Sequence, residues 1–135
     1  MAQPPHRRVD IGQRGESLAA DYLRNEGWLI REQNFEVAIG EIDIIAQRSI
    51  DFGGRPVREL AFVEVKTRRG GPVAPEMTVS RTKRRTIARV ARVYLDGDWA
   101  GETTSRFDVI TVDLSETPPD LCHYPAAFDA LGRLN

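Results

Sequence analysis

Two apolar stretches of the sequence carry charges where a buried strand would normally have none: Gly40-Glu41-Ile42-Asp43-Ile44-Ile45-Ala46 and Ala61-Phe62-Val63-Glu64-Val65-Lys66. A charge in such a place is unfavourable unless it is paired or bound to metal. Residues two apart share one face of a strand. Glu64 and Lys66 are therefore expected on one face, with Val63 and Val65 opposite. By the same rule Glu41 and Asp43 share a face, with Ile42 and Ile44 opposite. Neighbouring strands would then bring Asp43, Glu64 and Lys66 into one patch. Hard cations such as Mg²⁺ or Mn²⁺ prefer oxygen ligands, and a carboxylate set without histidine suits them. Such an ion polarises a phosphoryl oxygen and lowers the pKa of a bound water, so phosphodiester hydrolysis accounts for the grouping. Lys66 would orient that water or stabilise the charge that builds in the transition state. A buried ion pair of Lys66 with Glu64 or Asp43 is the structural alternative, and the string Asp…Glu-x-Lys alone does not separate the two.

The formal charge is −1, but it is unevenly distributed: residues 66–92 hold nine Lys and Arg against one acid, giving +8, and the rest of the chain is −9. This asymmetry fits a side that faces a polyanion, and equally a solvated basic helix. Nucleic acid is the expected partner, DNA ahead of RNA, with Arg68, Arg69, Arg81, Lys83, Arg84 and Arg85 as candidate phosphate contacts. Lys83 falls in line with Ile87, Val90, Ala91 and Tyr94, the inner face of a helix, and would point at the sheet rim. Arg81, Arg85, Arg89 and Arg92 form an outer stripe. Arg106 and Asp108 share a face of a later strand, where they would support the site or simply pair.

The elements that must position these residues follow from periodicity and turn signals. Asp10 is expected to cap a helix that runs to Glu26 and stops at Gly27, with Ile11, Gly15, Leu18, Ala19, Tyr22 and Leu23 inside and Glu16 on the flank of that face. Trp28–Val37 and Ile39–Gln47 are expected to form a hairpin. Residues 48–58 are turn-rich and are expected to be an exposed loop. Glu59–Thr67 is the third strand, 68–76 a Gly/Pro-rich loop, Ser80–Leu95 the second helix and Thr104–Leu114 the fourth strand. The tail holds a short strand at Leu121–Tyr124 and a last helical turn near Ala126–Leu131. The order is α-β-β-β-α-β. It predicts an α/β fold with a mixed four- to five-stranded sheet flanked by helices, an antiparallel meander followed by a parallel crossover.

At 135 residues the chain fits one domain, with residues 1–10 frayed and 115–135 an extension packed on the core. Cys122 is the only cysteine, so no intrachain disulfide or thiolate zinc cluster is possible. His6 and His123, the only histidines, leave little for a histidine metal site or triad. No apolar run approaches the ~20 residues of a membrane span. The start has no apolar signal segment, and a reducing, cytoplasmic setting without membrane attachment is the expectation.

Gly15-Glu16-x-x-Ala19-x-x-Tyr22-Leu23, Gly27, Asn34-Phe35, Gly40-Glu41-Ile42-Asp43-Ile44-Ile45-Ala46 and Phe62-Val63-Glu64-Val65-Lys66-Thr67-Arg68, with the later Lys83 and Arg106-Phe107-Asp108-Val109, resemble the YraN family of small bacterial proteins. The resemblance runs from about Gly12 to Phe128. That family is similar to the restriction-endonuclease-like, PD-(D/E)XK superfamily, and within it to archaeal Holliday junction resolvases. The resemblance implies a restriction-endonuclease-like fold, metal ligands at Glu16, Asp43 and Glu64, and Lys66 as the catalytic lysine. It further implies a Mg²⁺- or Mn²⁺-dependent endonuclease acting on DNA, branched or structured DNA included. A resolvase-like chain would act as a homodimer whose paired sites cut two strands. A non-catalytic nucleic-acid-binding or assembly module would keep the same fold. The sequence departs from the family pattern in a long segment at 48–58 and a loosely matched one at 72–80.

Overall fold

A computed structural model describes residues 7–70, 79–97 and 101–135. The elements are α1 (Arg7–Asn25), β1 (Leu29–Val37), β2 (Gly40–Phe52), β3 (Arg55–Arg68), α2 (Arg81–Leu95), β4 (Thr103–Asp113) and β5 (Asp120–Phe128). The strands make one mixed α/β sheet in the order β1-β2-β3-β4-β5, antiparallel except for the β3–β4 pair. The parallel pair is where the chain crosses over through α2, as the short connections elsewhere require. The sequence order α-β-β-β-α-β is extended by one complete strand.

The two helices lie on opposite faces of the sheet. On one face Ala19, Ala20 and Leu23 of α1 pack on Ile44, Ala46, Ala61, Val63, Val65, Ile110 and Val112. On the other, Ile87, Val90 and Ala91 of α2 pack on Ile42, Ile45, Leu60, Phe62, Phe107 and Val109. β3 alternates between these cores, so its Ala61-Phe62-Val63 run is buried on both sides, as a central strand must be. Among the described residues no helix is long and apolar enough to cross a membrane.

Several boundaries differ from expectation. α1 starts at Arg7, so Asp10 lies inside the helix and is not its cap. Its end is as expected: Gly27 has φ 95, Gly27 N–H donates to Arg24 and Trp28 N–H donates to Leu23, a left-handed glycine stop. The stretch 48–58 is a hairpin, not a loop. Gly53 and Gly54 have φ 62 and 85, the two positive values a two-residue turn needs, and they pair Phe52 with Arg55. The Ile50–Val57 pair and an Arg48–Glu59 ion pair of 2.8 Å hold its register. At the C-terminus β5 continues through Phe128 where a helical turn was expected. The Phe128 ring stacks on Phe107 at 5.1 Å and is 2% exposed. Burial of that ring in the sheet overrides the helical preference of Ala126-Ala127, and Ala126 takes φ 49 where the β4–β5 register shifts. Met1–His6 and most of the 68–76 loop lie outside the described residues.

Candidate active site at a notch between two strands

β2 and β3 pair from Phe52–Arg55 as far as Ile44–Val63. Past that point β2 pairs only with β1, and β3 continues only beside β4. The parting opens a notch, and Asp43 stands in it. Its Oδ2 accepts the Val65 N–H at 2.8 Å, replacing the ladder bond that β2 no longer supplies. The expected alternation of β2 fails here. Ile42 joins the α2 core with Ile45, whereas Ile44 joins the α1 core with Ala46. Ile42 and Ile44 therefore do not share a face, because the strand turns over at Asp43 as it leaves β3. Asn34, between the pairs Gln33–Ile44 and Phe35–Ile42, has φ 54 and lets β1 turn over with it.

The notch is open to both faces of the sheet, and carboxyls reach Asp43 from each. Glu16 comes from α1 and shares a hydrogen bond with Asp43. Glu64 comes from β3, is 5% exposed and shares another. Lys83 Nζ lies 3.7 Å from Glu64 Oε2. Ser80, the N-cap of α2, accepts the Lys83 N–H at 3.1 Å and so sets where this helix begins. Lys66 acts on Glu64 from its own strand and lines an open cleft of about 410 Å³ with Ile11, Gly12, Glu16, Asp43, Val65 and Thr67. Glu41 stands at the margin, close enough to repel Glu16. α1 can approach this closely because residue 15 is glycine: a Cβ there would overlap the Thr67 hydroxyl. Gly15→Ala is expected to lower stability by about 1–3 kcal/mol, measured by denaturant unfolding, as α1 is pushed off β3.

Burial, and then the Asp43 charge and hydrogen bond, hold the Glu16 carboxyl up at about 7. Burial is also the first cause for Glu64, followed by Asp43; Lys83 and Lys66 oppose it, leaving the carboxyl at about 8. Both stand above the ordinary 4.5. Their protonated forms therefore favour the folded chain. The stability they contribute is full at low pH and is lost as pH rises from the ordinary carboxylate value through 7 and 8. In metal-free buffer, melting temperature is expected to fall from about pH 5 to about pH 8 relative to a Glu16→Gln/Glu64→Gln variant. Parallel curves for the two proteins would contradict it.

Oxygen-only donors that hold displaceable protons near neutrality are chemically suited to a hard divalent cation. As the side chains stand, no three His, Cys, Asp or Glu groups among the described residues converge on one ion. The carboxyls meet instead in two pairs that share Asp43.

Of the residues singled out in the sequence, the fold brings together Glu16, Glu41, Asp43, Glu64, Lys66 and Lys83. Arg106 and Asp108 are not among them. Asp108 is fully buried under the C-terminal part of α1, bonded to Arg106 at 3.1 Å, His123 at 2.7 Å and the Ala126 N–H at 3.0 Å. His123 also takes the Tyr22 hydroxyl at 3.0 Å; no local motif marks a lone histidine for that role. Arg84 is not a phosphate contact. It is buried, and its guanidinium donates to the carbonyls of Gly132, at 2.7 Å, and Val79. Arg69, Arg81 and Arg85 are exposed, and Arg68 is half-buried.

Residues 15–112 match the model of a family described as "Uncharacterised protein family UPF0102". The chain belongs to the UPF0102 family. This is the family its YraN resemblance anticipated. A UPF0102 protein of Syntrophotalea carbinolica is 38% identical over 128 residues, covering 94% of this chain and 98% of its own. One from Geobacter metallireducens is 38% identical over 120 residues, 88% and 92% of the two chains. One from Geobacter sulfurreducens is 37% identical over 131 residues, 96% of each. The UPF0102 match begins at Gly15 and ends at Val112, so it contains the whole notch and leaves β5 outside.

Proposed function

We propose that this UPF0102 protein is a metal-dependent endonuclease that hydrolyses phosphodiester bonds of DNA, structured or branched DNA included. The observation that carries the proposal is Asp43 in the notch, joined to Glu16 and Glu64 and faced by two lysines. Glu16 and Glu64, both raised by burial and by the Asp43 beside them, are unfavourable to the fold as they stand, and a hard cation would relieve them. Asp43 and Glu64 would hold Mg²⁺ or Mn²⁺, with Glu16 as the nearest further oxygen donor. A bound ion supplies Lewis-acid polarisation of the phosphoryl oxygen and a water of lowered pKa. Lys66, on the cleft wall, orients the attacking water or neutralises charge on the phosphoryl oxygens. Lys83 balances Glu64 until substrate arrives and then faces the phosphate.

The test is incubation with duplex, single-stranded and four-way-junction DNA, and with RNA, in Mg²⁺ or Mn²⁺. Cleavage is expected with DNA and is expected to vanish in Asp43→Ala and Lys66→Ala. Activity unchanged in both variants overturns the assignment. A second reading, a non-catalytic nucleic-acid-binding or assembly module, draws on the lack of three convergent donors among the described residues. Calorimetric titration with Mn²⁺ separates the readings. A site that disappears in Glu64→Ala supports the enzyme, and no site in the wild type supports the module.

A further inference from the structure

Arg81, Arg85, Arg89 and Arg92 are all exposed. Their spacing of four, four and three residues places them on one face of α2. The buried residues of that helix are Arg84, Ile87, Val90 and Ala91. At 3.6 residues per turn the arginines stand about half a turn round from them, pointing away from the sheet. Among the described residues no carboxylate pairs with any of the four, and the first turn of α2 has no acid. Like charges four apart destabilise a helix, so the stripe does not support the fold.

The stripe turns away from the sheet on the side of α2, outside the lining of the cleft. The cleft opens beside Ile11, Gly12 and Glu16 of α1, whereas α2 packs on the other face of the sheet. The two come nearest at the N-terminus of α2, where Lys83 reaches Glu64 and Arg81 begins the stripe. We propose that the outer face of α2 is a phosphate-binding track for nucleic acid, made of residues outside the cleft lining. From Arg81 to Arg92 the helix rises about 16 Å, roughly five nucleotide steps of one strand in a duplex. Guanidinium groups are suited to phosphate oxygens. A protein partner would call for an apolar centre, and Val93 is the only large hydrophobic exposed on α2. The track goes beyond the cleft chemistry and stands without it.

Fluorescence anisotropy with a labelled duplex, in metal-free buffer across about 50 to 200 mM salt, tests the track without any cleavage. Arg81→Gln/Arg85→Gln/Arg89→Gln/Arg92→Gln is expected to reduce the slope of log affinity against log salt by about 3 to 4, and to weaken binding at the lowest salt at least about tenfold. The fourfold Arg→Lys protein is expected to keep the wild-type slope. If the fourfold Gln variant does not fold, Arg85→Gln and Arg89→Gln are each expected to remove about one unit of slope. An unchanged slope in the Gln variants overturns the track. Competition by polyglutamate as effective as by DNA, charge for charge, overturns its assignment to nucleic acid. Loss of the slope without cleavage by the wild type leaves the track standing and removes only the nuclease reading.

Discussion

Asp108→Ala is expected to destabilise the protein by about 3–5 kcal/mol, lowering the melting temperature by roughly 10–20 °C in a thermal scan. The carboxylate is fully buried and satisfies three groups: the Arg106 guanidinium, the His123 Nε2–H and the Ala126 N–H. Its removal leaves all three without their acceptor, and the penalty is that of uncompensated buried donors rather than of lost packing. The damage spreads because the network crosses the sheet. Arg106 also lies 3.8 Å from Glu59, Glu59 pairs with Arg48 at 2.8 Å, and both arginines sit over the Trp28 ring, Arg48 at 4.3 Å and Arg106 at 5.0 Å. An imidazole that donates from Nε2 offers Nδ1 to the Tyr22 hydroxyl, so α1 is tied to β5 through His123. His123→Ala removes one arm of this network and is expected to cost less, about 1–3 kcal/mol. The same scans decide whether Arg106 and Asp108 support the cleft. Below its lowered melting temperature, Asp108→Ala is expected to keep the metal affinity of the wild type. Lost affinity with an unchanged melting temperature would place the network in the site after all.

That network also marks how far the sequence could be read. Strand alternation served along β3 because its pairing with β4 runs without a register shift from Arg58 to Arg68, even where β2 has left it. It failed on β2 because no rule of period two anticipates a strand turning over at Asp43, and the reversal depends on Asn34 of the adjacent strand. Spacing grouped Asp43 with Glu64, and only the resemblance added Glu16, which is on a helix flank that periodicity leaves ambiguous. The hairpin at 48–58 was hidden by composition, since Gly53-Gly54 and Pro56 suggest loop although Ile50 and Val57 continue the strand pattern. Lys83 and Arg84 are neighbours in one basic run, yet one reaches Glu64 and the other is buried against two carbonyls. Charge counting cannot divide them; the helix phase set by Ser80 does. The C-terminal strand was legible only as a fragment because its reason to form, the Phe128 ring against Phe107, lies in a distant part of the chain.

Asp43→Asn is expected to remove cleavage by on the order of a thousandfold, about 4 kcal/mol of transition-state stabilisation, while raising metal-free stability near pH 8. Asparagine keeps an oxygen that can accept the Val65 N–H, so the notch retains its shape. What it loses is the charge that raises both Glu16 and Glu64. With that charge gone, Glu16 and Glu64 move back toward the ordinary carboxylate value, although burial still holds Glu64 above it. The native chain then binds fewer excess protons between the ordinary value and 8, and less stability is lost as pH rises. The gain therefore belongs to neutral and alkaline pH and vanishes in acid, where the carboxyls are protonated in the folded and unfolded chains alike. Divalent metal should reverse the ranking. Mn²⁺ is expected to raise the melting temperature of the wild type, by binding the folded form alone, and to leave Asp43→Asn unmoved. A variant less stable than the wild type in chelator at pH 8 would mean that Asp43 is a structural acceptor first. A variant that is more stable, blind to metal and inactive is what a site strained for catalysis predicts.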